Sequence, residues 1–78
     1  MSINADVKLD CKGLNCPLPV IKTKKMIDGM NLGQILEMTA TDPGSVNDMT
    51  AWSHRTGQTL LEHKQDNGSF IFYIKKVK

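Results

Sequence analysis

The sequence predicts a two-layer α/β sandwich, an α+β fold in the chain order β-α-β-α-β-β with both helices on one face of a mixed four-stranded sheet. Three observations predict it. Apolar and polar residues alternate at 5–10 and again at 34–41, each time ahead of a helix-start signal. Apolar residues at helical spacing follow each of these stretches. The C-terminal part holds two extended runs on either side of Asp66-Asn67-Gly68, a hairpin signal.

The first strand, 5–10, puts Ala5, Val7 and Leu9 on one face and Asp6, Lys8 and Asp10 on the other. Cys11 continues the apolar set. The first helix reads from 17 to 30. At 100° per residue Pro19, Val20, Thr23, Met26, Ile27 and Met30 share one stripe turned to the sheet, and Gly29 with 31–33 ends it. The second strand, 34–41, gathers Leu36, Met38 and Ala40 on one face.

Asp42-Pro43 reads as an N-cap followed by proline at the first helical position. The second helix then runs to about Arg55 and stops at Gly57, with Val46, Met49, Ser53 and Thr56 inward and Trp52 at the margin. Strands at 58–65 and 69–76 complete the sheet. The last is apolar on both faces through Phe70-Ile71-Phe72-Tyr73-Ile74, as a central strand requires. Right-handed crossover makes the first two strands parallel and the final hairpin antiparallel. One sheet face is left uncovered, with Ile35 and one side of the last strand as its apolar residues.

Seventy-eight residues, 1–78, make one small domain near the lower size for an unstapled core. Ten Lys and Arg against eight Asp and Glu leave a formal charge of +2, and the chain has four aromatic residues. No basic stripe interleaved with aromatics emerges, so direct nucleic-acid binding is not expected. The first residues lack the basic-apolar run of a secretory leader, so none is expected, and no stretch is long enough for membrane insertion. Two cysteines without such a leader point to a reduced, cytoplasmic setting. No cofactor is called for, and the scattered His54, His63 and two cysteines lack metal-ligand spacing.

The chemistry concentrates at Cys16, in Cys16-Pro17-Leu18-Pro19. A thiol at the tip of a helix meets unpaired N–H groups and the positive end of the helix dipole, both of which favour the thiolate. Pro17 suits the first helical position, and Pro19 stiffens the entry. With Pro19 lacking an N–H, Leu18 is expected to supply the main direct donor to the sulfur. The plain alternative is a small buried hydrophobe at a turn.

The run Leu9-Asp10-Cys11-Lys12-Gly13-Leu14-Asn15-Cys16-Pro17-Leu18-Pro19 resembles the signature of the TusA-type sulfur carriers, which include SirA- and YedF-like proteins. Asp42-Pro43-Gly44-Ser45, Ala51-Trp52, Thr56-Gly57 and Leu60-Leu61 extend the resemblance over nearly the whole chain. It implies the same sandwich, with Cys16 accepting sulfane sulfur as a persulfide, or as a thiosulfonate when thiosulfate is the source. A donor protein (a cysteine desulfurase or a rhodanese-like protein) and an acceptor protein are then the partners. The activity implied is that of a sulfurtransferase-like shuttle rather than a free-standing enzyme.

Around Cys16, Lys12 stands where the family often has arginine, as a cation for sulfur-borne charge or as a solvated turn residue. Gly13 supplies a backbone conformation closed to other residues. Leu18 and Ile21 fall off the inward stripe on the side of Lys22 and Lys25, and together these four make a candidate partner-docking patch. Cys11 is read as core-facing, with a resolving role toward Cys16 as the alternative. Two other functions stay open at this level: a nucleic-acid-binding or regulatory module of the same layout, and a dithiol redox protein using Cys11 and Cys16.

Overall fold

The computed structural model describes residues 4–15 and 18–78; the first three residues, Cys16 and Pro17 lie outside the described residues. The described elements are β1 (Val7–Cys11), α1 (Leu18–Asp28), β2 (Ile35–Ala40), α2 (Ser45–Thr56), β3 (Thr59–Asp66) and β4 (Ser69–Lys75). They form a mixed sheet in the order β1-β2-β4-β3. β1 pairs with β2 in parallel, Leu9 opposite Met38, while β4 runs antiparallel to both β2 and β3. The predicted sandwich and chain order are the observed ones, and β4 is central.

The alternations resolve as expected. Leu36, Met38 and Ala40 of β2 are buried beside Phe72 and Ile74 of β4, and Cys11 closes the β1 end of the same core. From above, α1 contributes Ile27 and Met30, and α2 contributes Met49 and Trp52. Burying a side chain of this size is worth about 1.5–3 kcal/mol, so these residues supply the main stabilisation of the fold. Only Leu60 of β3 packs against that core, and a register shift between Leu60 and Glu62 leaves Leu61 exposed. As an edge strand, β3 shows no buried alternation beyond Leu60.

Two local readings are corrected. Asp42 does not cap α2: the cap position is Gly44, with no side-chain cap bond. The Asp42 carboxylate instead accepts the Gly44 N–H at 3.0 Å, and its carbonyl accepts the Ser45 N–H at 3.0 Å. That turn uses up the Asp42-Pro43 step before helical geometry begins. Trp52 is not marginal but buried, as is Ser45, so the inward stripe is rotated from Val46 toward Ser45 and Trp52. The Ser45 hydroxyl is buried with no hydrogen-bond partner among the described residues.

Helix ends and turns follow their chemistry. Gly57 ends α2 at φ +80°, donating its N–H to the Ser53 carbonyl. Asn67 and Gly68 both have positive φ, the requirement of a two-residue type I′ hairpin loop. At the end of α1 the Lys76 ammonium donates to the Met30 carbonyl at 2.9 Å. On the face away from the helices, the Tyr73 hydroxyl donates to Glu37 at 2.8 Å and Lys64 sits over its ring. That hydrogen bond, then burial and the charges of Glu37 and Glu62, raise the Tyr73 pKa. The open face is therefore covered by its own side chains around a buried tyrosine, while Ile35 and Ile71 are half-buried.

Leu36→Ala should cost about 2–5 kcal/mol of stability in urea unfolding, because the site lies in the closed centre of the core. Leu32→Ala, at a position 68% exposed, should stay within about 0.5 kcal/mol.

Candidate functional site

The parallel pairing of β1 with β2 places the turns after both strands at the same end of the sheet. The chain reverses at 11–14, where the Leu14 N–H donates to the Cys11 carbonyl at 3.2 Å. Gly13 sits at the third position of that turn with φ +82°, a conformation β-carbon sterics disfavour. Two side chains fix the turn: Asp10 accepts the Lys12 N–H and Thr41 accepts the Gly13 N–H, each at 2.9 Å. The second bond ties the approach to α1 to the approach to α2.

Cys16 and Pro17 follow, outside the described residues. At Leu18 the chain is already turning, since its N–H donates to the Asn15 carbonyl at 2.9 Å. That N–H therefore already has a backbone acceptor, while the sulfur to which it was expected to donate lies outside the described residues. Pro19 is buried, and its carbonyl accepts the Thr23 hydroxyl at 2.7 Å. Proline 19 anchors the first turn of α1 by packing.

Cys11 is a free thiol with no exposed surface. Burial raises its pKa; the Lys22 ammonium works against that rise and the Asp10 carboxylate adds to it. The thiol is protonated at neutral pH, and its place in the core supports the packing role over a resolving one.

The outer side of α1 is open. Leu18 and Ile21 are 45% and 44% exposed. Lys24 pairs with Asp28 at 2.9 Å, whereas Lys22 and Lys25 have no ion-pair partner among the described residues. The two free lysines border a hollow with Leu9 and Met26. Leu18 and Ile21 do not line it, so the four candidate docking residues split into an apolar pair and a basic pair around the helix. Lys12 borders a different hollow, with Lys8, Asp10, Glu37 and Thr39.

Comparison with known proteins decides the kinship. The family model described as Sulfurtransferase TusA matches residues 7–76. The chain belongs to the TusA family. The sulfur carrier protein TusA of Allochromatium vinosum is 51% identical over 71 residues, covering 91% of this chain and 93% of that protein. YrkI of Bacillus subtilis is 46% identical over 74 residues, covering 95% and 99%. The crystal structure of a SirA-like protein from Desulfitobacterium hafniense superposes with a TM-score of 0.79 over 92% of this chain and 99% of that one. Its 23% identity makes the likeness one of fold.

In this TusA-family chain, sequence reasoning missed the part that Leu9 and Met26 play in the site's surroundings. Both were assigned to the inward stripes, and both do pack against the core. Only the edge position of β1 also opens them to a hollow, and a local periodicity carries no information about which strand lies outermost. Among the described residues no helix is long and apolar enough to cross a membrane.

In a Cys16→Ser protein, Cys11 should resist iodoacetamide at about pH 8 and react at the free-thiol rate once urea unfolds the chain. Comparable rates in native and unfolded protein would show the end of β1 to be open.

Proposed function

We propose that the protein is a sulfur carrier that holds sulfane sulfur on Cys16 and relays it between partner proteins. The observation that carries this reading is the 51% identity, over 91% of the chain, to a protein named sulfur carrier protein TusA. The Cys16-Pro17-Leu18-Pro19 element supplies the thiol. In the loading step the Cys16 thiolate attacks the outer sulfur of a donor persulfide. A new S–S bond forms at Cys16, the donor's S–S bond breaks, and the donor leaves as a thiolate, with no net redox change. Delivery repeats the step: an acceptor thiolate takes the outer sulfur and Cys16 departs as thiolate. Residues 1–78 act in this reading as one carrier domain in the cytoplasm, where free thiols persist.

The residues around the site take supporting parts. Gly13 and the Thr41 bond hold the loop, while Pro17 and Pro19 stiffen the helix entry. With the Leu18 N–H engaged, thiolate stabilisation falls to the α1 dipole and to the lysines, Lys12 among them. Lys22 already acts on the Cys11 thiol, so its field reaches the end of β1. Leu18, Ile21, Lys22 and Lys25 form the docking surface for the donor, a cysteine desulfurase or rhodanese-like protein, and for the acceptor.

Incubation with a persulfide donor should add one sulfur, about 32 Da, at Cys16. Cys16→Ser should abolish the addition and Cys11→Ser should preserve it. Peptide mass mapping of the sulfur to Cys11 would overturn the assignment.

Leu18→Asp with Ile21→Asp should slow transfer to a protein acceptor by about tenfold or more while leaving loading from a small-molecule persulfide unchanged. Reversing Lys22 and Lys25 to glutamate should lower the association rate, with a loss that shrinks as salt rises. Stopped-flow transfer measurements unaffected by both double variants would remove α1 from the docking surface.

A further inference from the structure

β1 is the outermost strand on its side of the sheet. The Asp6 N–H donates to the Ile35 carbonyl, which fixes the phase of the parallel ladder. Asp6, Lys8 and Asp10 turn their backbone groups toward β2, and Val7, Leu9 and Cys11 turn theirs outward. Leu14 takes the Cys11 carbonyl. The outward groups of Val7 and Leu9 have no partner among the described residues, so this edge offers a free set of donors and acceptors.

A hollow flanks this edge on each face of the sheet. On the helix side, one of about 350 Å³ has Leu9 and Met26 as apolar lining, with Lys22 and Lys25 beside them. On the open side, one of about 260 Å³ is lined by Lys8, Leu9, Asp10, Lys12, Glu37 and Thr39. Leu9 borders both. Side chains of an added strand alternate between faces, so a hollow on each face of a free edge is the arrangement that strand addition uses.

Charge selects the occupant. Lys8, Lys12, Lys22 and Lys25 surround the edge, against the carboxylates of Asp10 and Glu37. Those two are already engaged, Asp10 by the Lys12 N–H and Glu37 by the Tyr73 hydroxyl. Lys22 and Lys25 are not, although Lys24 beside them is paired. A second copy, added antiparallel so that the sheet continues, would bring two sets of these unpaired lysines together on one face.

We propose that the free edge of β1 binds an extended, acidic segment of a partner protein, which joins the sheet as an added strand. Backbone bonds to Val7 and Leu9 hold it. Its acidic side chains fall on the helix side, their methylenes over Leu9 and Met26 and their carboxylates at Lys22 and Lys25. The other side chains enter the polar hollow. Cys16 follows β1 by five residues in the sequence, so a segment on this edge lies along the strand that leads to the reactive loop. The inference extends the docking reading from Lys22 and Lys25 to the edge of β1 and does not depend on sulfur transfer.

The test uses ¹⁵N-labelled Cys16→Ser protein, so failure of the sulfur chemistry leaves its readout untouched. Four synthetic octapeptides serve as probes: alternating Glu and Thr, alternating Lys and Thr, and the Glu-Thr peptide N-methylated either at every Glu or at every Thr. The Glu-Thr peptide is expected to shift the Val7 and Leu9 amides and slow their hydrogen exchange. It should bind about tenfold or more tightly than the Lys-Thr peptide. One of the two N-methylated peptides should lose binding and the other keep it, because only one edge of the peptide faces β1. Lys22→Glu with Lys25→Glu should reverse the charge preference. Absence of Glu-Thr binding, shifts confined to β3, equal binding of the Lys-Thr peptide, like behaviour of the two N-methylated peptides, or concentration-dependent pairing of the protein through β1 would each overturn the proposal.

Discussion

The parallel pairing of β1 with β2 is the constraint on which the rest of the arrangement depends. Two parallel neighbours require a crossover, and α1 supplies it. Because α2 leaves β2 as α1 leaves β1, both helices start at the same end of the sheet. Their positive dipole ends therefore lie at one end. The Thr41 hydroxyl, accepting from Gly13, locks the two approaches together. A hydrogen bond between residues 28 positions apart thus holds the loop that leads to Cys16.

Burial sets the chemistry of Cys11, which the sequence places five residues before Cys16. Cys11 ends a strand on its core-facing side, and desolvation keeps it protonated. Cys16 follows the Gly13 turn in the sequence and lies outside the described residues. The backbone changes direction just after Cys11, which Gly13 permits through its positive φ. A buried, protonated Cys11 is a poor resolving thiol, which suits the carrier reading proposed above, since the bound sulfur must pass to another protein rather than be lost to an internal disulfide.

Most of the fold was legible because its signals are local. Val7 and Leu9, Leu36 through Ala40, and the Asn67-Gly68 turn each announce their geometry within a few residues. The failures came where a distant neighbour decides. Asp42-Pro43 has the form of a helix cap, yet the chain spends that step on a turn. Trp52 reads as marginal on a helical wheel, yet the packing of α2 against the sheet and α1 encloses it. Leu9 has two environments, core and hollow, because it lies on the outer strand, and no periodicity in 5–10 reveals that. At the site, the Cys16 motif was visible as text, whereas the engagement of the Leu18 N–H by Asn15 follows from backbone geometry that residue types do not fix.

The central position of β4 has a consequence for how the protein acquires its structure. β4 is the last of the described strands to be synthesised, and it lies between β2 and β3. Until it emerges from the ribosome, β2 has one open edge and Leu36, Met38 and Ala40 lack the phenylalanine and isoleucine side chains that sit beside them. The earlier elements cannot close a sheet of their own. Closure of the sheet therefore waits for β4, and the high sequence separation of the β2–β4 contacts makes it slow relative to a helical bundle of the same size. Between the synthesis of β2 and that of β4 the nascent protein carries this apolar strand without its central neighbour, and in that interval chaperone capture or aggregation competes most directly with folding.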